Sequence, residues 1–426
     1  MVALARRVDS SVWQALVGSR LVLWLAGVFG FLQIGAVAGA VQTYDPTNLT
    51  APFRSYFANV LLAPLARWDS VWYLNIARSG YGASLDRTAF FPLYPLLIHL
   101  TGWLFASDLL AGVAISLLAF AVALVLLQRL VALDFGAEIG SATVMLVAFS
   151  PMSFFFSAVY TEALFLALSV GCIYAARRER WWLAGVLGAL AALSRNGGFA
   201  LFVPLAVLYF YGPREGTGRS LTRWAKQQRR GLLRLMPRYR LEAQALWMLL
   251  TPAGLLAYLG YLWVQYGKPL APFSEETAWY RHTTFPLLTI GTGAIQAFHG
   301  LQQLLQGPNP PYHVWLYAAS PTASAADDIL LFAFLLVGLF ALLGAIYQQP
   351  AAYWTYALVL LVMGLSDPVK LQVLASLPRY ELVIFPLFIW AAQLLTRHRL
   401  LSVTLSVSAV LLAVSTVEFA TWHWVA

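Results

Sequence analysis

Uncharged apolar runs long enough to cross a bilayer constrain this chain more than any other feature. Several reach 17 or more residues, the stretch 109–127 among them. A hydrocarbon core of roughly 30 Å needs about 20 such residues as helix. Within lipid, each backbone N–H and C=O must be satisfied inside its own segment, so runs this continuous span as helices. Hydrophobic residues make up 60% and charged residues 11% of the chain, with a mean hydropathy of +0.71. That balance excludes an ordinary soluble domain. The expected fold is an all-α polytopic membrane protein forming one domain over residues 1–426. Its predicted spans lie near 21–41, 108–132, 139–158, 162–176, 181–194, 197–212, 244–265, 328–347, 351–366, 381–396 and 400–421. A polar, basic stretch precedes the first and no cleavage site follows it, so it reads as a retained helix and not a signal peptide.

Charge sets the expected orientation. With the N-terminus cytoplasmic, inside segments hold 18 of the 27 Lys and Arg, and outside segments hold 9. Orientation follows that excess. The basic segment 213–243 then lies inside, where anionic headgroups account for its charge. It has few interleaved aromatics and no accompanying nucleic-acid fold, so a nucleic-acid partner is not expected. Segments 42–107 and 266–327 become the large outside loops, and 90–106 reads as a juxtamembrane helix. Between two short spans, Ser194-Arg195-Asn196-Gly197-Gly198 forms an outside turn recessed below the surface, because fourteen helical residues cover only about 21 Å. The single cysteine, Cys172, rules out internal disulfides, and the six histidines show no metal-binding spacing. Neither a metal nor a cofactor is expected.

Residues 67–95 interrupt the hydrocarbon with charged residues, Asp69 among them, several aromatic rings and two prolines. An ionisable group at a membrane surface has to be paired, solvated or used. The order Trp68-Asp69, Ile76-Ala77, Gly80-Tyr81 and Ala89-Phe90-Phe91-Pro92-Leu93, closed by Pro95, resembles the PIG-V family of membrane mannosyltransferases. Those are GT-C glycosyltransferases, which take sugars from lipid-phosphate donors. The resemblance implies a GT-C-like bundle of about eleven spans with extracytoplasmic juxtamembrane helices. It further implies an inverting transfer of mannose from polyprenyl (dolichyl) phosphate mannose to a glycolipid or other hydroxyl acceptor on the extracytoplasmic side. Eukaryotic members act on GPI precursors in the endoplasmic reticulum. Because Trp422-His423-Trp424-Val425-Ala426 carries no retention signal, a prokaryotic cell membrane is the expected location and the endoplasmic reticulum the alternative.

Such a transfer needs a carboxylate to accept the proton of the attacking hydroxyl and cations or N–H donors to stabilise the departing phosphate. The resemblance assigns the base to Asp69; otherwise Asp69 caps a helix beginning near Ser70. Trp68, Trp72 and Tyr73 can stack on a sugar or on isoprene units, or can form an interfacial aromatic belt. Tyr160 and Glu162 match the family's Tyr-Thr-Glu; Glu162 reads either as an acceptor ligand or as an acid favoured by a helix N-terminus. Arg195, beside Asn196, needs an anionic partner, which could be Asp69, Glu162 or donor phosphate. Trp279 and Arg281 match a family stretch in the 266–327 loop. Arg379 and Tyr380 match its terminal Arg-Tyr pair, and the planar fork of Arg379 suits phosphate; the alternative is interfacial snorkelling. A different class, a transporter or flippase without catalysis, would instead place its charges near mid-span.

Overall fold

The structure, a computed structural model, describes residues 10–82, 84–214, 238–307 and 320–425. Most of the basic segment 213–243 lies outside the described residues, as do residues 308–319. The first helices are α1 (Ser10–Phe29), α2 (Ala40–Tyr44), α3 (Tyr56–Leu62), α4 (Asp69–Ser79), α5 (Leu93–Phe105) and α6 (Asp108–Phe135). Then come α7 (Ala137–Phe149), α8 (Glu162–Arg177), α9 (Trp181–Ser194), α10 (Phe202–Tyr211), α11 (Leu250–Tyr266) and α12 (Ala271–Ser274). The last six are α13 (Pro286–Gln306), α14 (Pro321–Gln348), α15 (Ala351–Leu365), α16 (Leu377–Glu381), α17 (Phe385–Arg397) and α18 (Leu401–Ala420). Among the described residues there is no strand, only an isolated bridge between Arg281 and Val369. Five helical stretches are long and apolar enough to cross a membrane: Ser10–Ile34, Asp108–Phe135, Ala243–Tyr266, Thr322–Gln348 and Leu401–Ala420. Shorter apolar helices fill in between them. The chain is an all-helical polytopic membrane protein.

Local chemistry fixes where these helices begin and end. The Ser107 hydroxyl accepts from Leu110 N at 3.3 Å, Asp108 occupies the first turn of α6, and Gly136 ends it at φ 98°. An acid in the first turn and a cap at its head both stabilise a helix N-terminus. Buried α8 follows the same polarity, with Glu162 in its first turn and Arg177 in its last. At that far end Arg177 Nη2 pairs with Asp134 Oδ1 at 2.8 Å, and Asp134 also accepts from the Tyr353 hydroxyl. The two charged ends of α8, 16 residues long, are thus about 24 Å apart.

The predicted span 21–41 falls on a helical stretch that begins earlier: α1 starts at Ser10 and holds Arg20 buried inside it. That guanidinium is fully employed. Nη1 donates to Ser157 Oγ (2.7 Å) and Ser153 O (3.1 Å), and Nη2 to Ser153 Oγ (2.5 Å) and Ala148 O (3.3 Å). Within 266–327, α13 buries Gly293, Ala297 and Gly300 and exposes Leu288, Ile295, Phe298 and Leu305. Its small residues let it lie against Leu374 and the start of α14, where a Cβ on Gly300 would come within 2.6 Å of Ala325 O. An exposed apolar face of this kind suits a lipid neighbour better than water.

Residues 181–212 form two helices broken at Arg195, whose backbone is extended. The chain then doubles back so closely that a Cβ on Gly198 would lie 2.1 Å from Ala191 O, which only glycine allows. Close approach is also what joins α9 to α11, where a Cβ on Gly254 would meet Ala189 O at 2.3 Å. Small residues permit this backbone contact in the absence of a hydrophobic driving force between membrane helices.

Candidate active site

Several chain segments meet where α4 and α8 begin, around a cavity of about 460 Å³. Trp68 precedes α4 with φ 53°, an uncommon conformation for a residue with a side chain. Asp69 is the first residue of α4 and does not cap it; its carboxylate turns instead to Arg379. Arg379 Nη1 lies 2.5 Å from Asp69 Oδ2, and Arg379 Nε lies 3.4 Å from Glu162 Oε1. Glu162 Oε1 also accepts from Arg195 Nη1 at 2.9 Å. The result is a continuous line of alternating charge, Asp69–Arg379–Glu162–Arg195, contributed by α4, α16, α8 and the turn after α9. Arg379 is drawn inward to two carboxylates, with its side chain only 13% exposed, and does not snorkel to an interface. Asp69 Oδ1 makes no hydrogen bond among the described residues, and Asp69 lines the cavity.

A second pair stands in the same cavity. Arg281 Nη1 donates to Asp367 O at 2.7 Å and lies 3.4 Å from Asp367 Oδ2. The guanidinium carbons of Arg195, Arg281 and Arg379 lie 5.4, 5.5 and 5.7 Å from the centre of the Tyr380 ring. Three cations so placed are attracted by the ring's face and present their remaining N–H groups in one region. Aromatic rings form the walls. Trp72, Phe90 and Trp279 pack together, with Trp72 and Trp279 edge to face at 4.9 Å. Trp68 packs on Tyr44 at 4.7 Å and on Trp424 at 5.2 Å.

Electrostatics follow from burial and these partners. Burial alone would depress the Arg379 guanidinium, but Asp69 and Glu162 beside it hold it well above its ordinary range. Tyr73 and Tyr160 are pushed above the usual phenol range, first by burial and then by the same two carboxylates. Burial, reinforced by Asp367 and opposed by Arg281, raises Glu276 to about 7.

Of the residues expected from sequence, Trp68, Asp69, Trp72, Tyr73, Glu162, Arg195, Asn196, Trp279, Arg281, Arg379 and Tyr380 all line this cavity. Tyr160 stands behind it: its hydroxyl accepts from Asp69 N at 3.1 Å and donates to Arg67 O at 3.2 Å. Sequence reasoning missed Glu276, Asp367, Tyr44, Phe90 and Trp424, which line it too. Asp367 carried a usable signal, a lone acid just after an apolar run, the same signal that drew attention to Asp69. Trp424 carried none. Among the described residues no group of three His, Cys, Asp or Glu could hold a metal ion.

Residues 17–210 match the family described as Mannosyltransferase (PIG-V). The chain is 37% identical over 153 residues to mouse GPI alpha-1,6-mannosyltransferase 2, covering 32% of this chain and 30% of that protein. It is 32% identical over 166 residues to GPI mannosyltransferase 2 of Yarrowia lipolytica, covering 38% and 44%. With the human GPI alpha-1,6-mannosyltransferase 2 it shares 32% over 169 residues, covering 37% and 34%. The likeness thus spans less than half the length of each of these relatives. No solved structure matches the chain. The family match contains Asp69, Glu162 and Arg195, whereas Arg281, Asp367 and Arg379 lie beyond it and reach the cavity through the fold. Through residues 17–210, this chain is similar to the PIG-V mannosyltransferases.

Proposed function

We propose that this protein transfers mannose from a polyprenyl-phosphate donor to a hydroxyl of a glycolipid acceptor, with inversion at the anomeric carbon. One observation carries the reading: a carboxylate with a free oxygen, Asp69 Oδ1, shares a single cavity with three guanidiniums gathered around Tyr380. The acceptor hydroxyl attacks the anomeric carbon and gives its proton to Asp69. The bond from that carbon to the phosphate oxygen breaks, and the electron pair leaves with the phosphate. Arginine forks suit that departing anion because charge grows on its oxygens during the reaction. Arg379 contributes Nη2, which has no partner among the described residues, while Nη1 holds Asp69 in place. The aromatic walls offer apolar faces to pyranose rings or to the donor's first isoprene units. A site set into a bundle of apolar helices lets a lipid tail stay in the bilayer while its phosphate reaches the cations.

No glycine-rich phosphate loop or doubly wound domain is visible in the sequence to hold a nucleotide sugar. A transporter would keep its ionisable residues near mid-span about an alternating site; here the charges of α8 lie at its two ends. The sidedness expected from the Lys and Arg distribution places the cavity extracytoplasmically. The test incubates purified protein in nanodiscs with short-chain polyprenyl-phosphate mannose and candidate glycolipids, identifying products by mass. A hexose added to an acceptor is the expected result. Transfer from nucleotide-linked mannose with no lipid donor present would overturn the donor assignment, and no transfer to any hydroxyl acceptor would overturn the activity.

A further inference from the structure

The segment that follows α18 reaches back across the whole chain to the two residues before Asp69. Arg67 is buried, and its Nε donates to Ala420 O at 2.9 Å while its guanidinium lies 5.1 Å from the Trp422 ring centre. Trp68 Nε1 donates to His423 O at 3.2 Å. The Trp68 ring stands 5.7 Å from Trp422 and 5.2 Å from Trp424, both edge to face. Trp422 is itself buried, stacked on Tyr44 at 6.0 Å. On the opposite side, the Tyr160 hydroxyl bridges Arg67 O and Asp69 N. The peptide 67–69 is thereby gripped from two directions, by α8's leading loop and by residues 420–424.

We propose that residues 420–424 are positioning residues for the reacting carboxylate. They hold Arg67 and Trp68 so that Trp68 keeps its φ of 53° and Asp69 enters α4 aimed at the cavity. The physical reason lies in that backbone conformation. A tryptophan at positive φ persists only where its surroundings over-determine it, and here an indole ring and its N–H are both fixed by a segment 355 positions away. Without that brace, the 67–69 backbone is free to relax toward an ordinary conformation, which swings the Asp69 carboxylate away from its present line. Misplacement of a reacting group by about 1 Å can lower turnover roughly 100-fold. Trp424 adds a direct contribution, since it lines the cavity beside Trp68. The catalytic part of this inference rests on the reading of Asp69 as the base; the bracing part does not.

The test uses the full chain in nanodiscs with Trp422→Ala, Trp424→Ala and the conservative Trp422→Phe. Hydrogen exchange of peptides covering 66–74 needs no substrate. The Ala variants should accelerate exchange there about tenfold while the rest of the bundle stays as in wild type, since local opening is read separately from global unfolding. With lipid-phosphate mannose, kcat should fall about 100-fold and the donor KM should move by less than about threefold, as for a group aligned for the transition state. Trp422→Phe should restore both readouts. If Trp422→Ala does not fold, Trp424→Ala carries the test, because it leaves the packing of Trp422 on Arg67 and Tyr44 in place. Unchanged exchange at 66–74, or a rise spread evenly over all helices, would overturn the proposal. A local rise with no transfer even in wild type would support the brace and refute the mannosyltransfer reading alone.

Discussion

Replacing Asp69 by Asn separates the chemistry of this site from its architecture. The amide has the shape of the carboxylate and still offers an oxygen to Arg379 Nη1, but it cannot accept the acceptor's proton. Losing a general base slows a reaction by about 10²–10⁴-fold, which corresponds to roughly 3–5 kcal/mol of barrier. Stability should respond far less. Arg379 does not become a stranded cation, because Glu162 Oε1 remains 3.4 Å from its Nε. The change in stability should be about 1 kcal/mol, the net worth of one hydrogen bond. Arg379→Gln is the contrasting perturbation. It leaves Asp69 without a cation and Glu162 with Arg195 alone, and breaking a buried pair typically costs about 3–5 kcal/mol. Purified variants in nanodiscs would be compared by single-turnover mannose transfer and by thermal melts. The expected pattern is a melt near wild type with turnover reduced at least 100-fold for Asp69→Asn, and a clearly lowered melt for Arg379→Gln. A well-folded Asp69→Asn protein with near-normal turnover would refute the role of Asp69. So would a loss of stability equal to that of Arg379→Gln, because activity would then be lost through the fold.

Arg379→Lys should keep a positive charge between Asp69 and Glu162 but lose the planar fork, raising the donor KM about tenfold with a near-normal melt; unchanged donor kinetics with a lowered melt would make Arg379 a structural anchor. Glu276, raised to about 7 from its ordinary 4.5, opposes stability when it ionises. Its penalty is absent below about pH 4.5, grows as pH rises toward 7 and is complete above it, by proton linkage. Glu276→Gln should therefore flatten part of the decline in melting temperature between pH 5 and 7, and an unaltered slope would remove Glu276 as its source. With Cys172 replaced, Ser84→Cys should react with an impermeant thiol reagent applied from outside intact cells, whereas Thr217→Cys, outside the described residues, should not. Labelling of Thr217→Cys from outside would reverse the orientation assigned to the site.

Much of the site was legible because a membrane makes charge conspicuous. Against long hydrocarbon runs, Asp69, Glu162, Arg195 and Arg379 are exceptions that lipid does not tolerate unpartnered, so each could be singled out from its place at the end of a run. Arg20 was not legible in this way: the four acceptors of its Nη1 and Nη2 lie more than 125 residues away, on Ala148, Ser153 and Ser157. The 266–327 region, expected as an outside loop, contains α13, which exposes leucines along one face. Thr289, Gly293, Gln296 and Gly300 lower the linear hydropathy there while serving close contact with neighbouring segments.

By itself the sequence determined that the chain lives in a membrane as helices, because backbone groups in lipid have no other way to be satisfied. It also determined which few residues are chemically out of place there, and, through the segment 67–95, which family they resemble. The tertiary structure decided the partners: that Arg379 lies between Asp69 and Glu162, that Arg195, Arg281 and Arg379 share the ring of Tyr380, and that Trp424 stands beside Trp68. Those pairings join positions up to several hundred residues apart. Hydropathy and motif spacing are local quantities, whereas the distance between two side chains in a bundle depends on how every intervening helix packs.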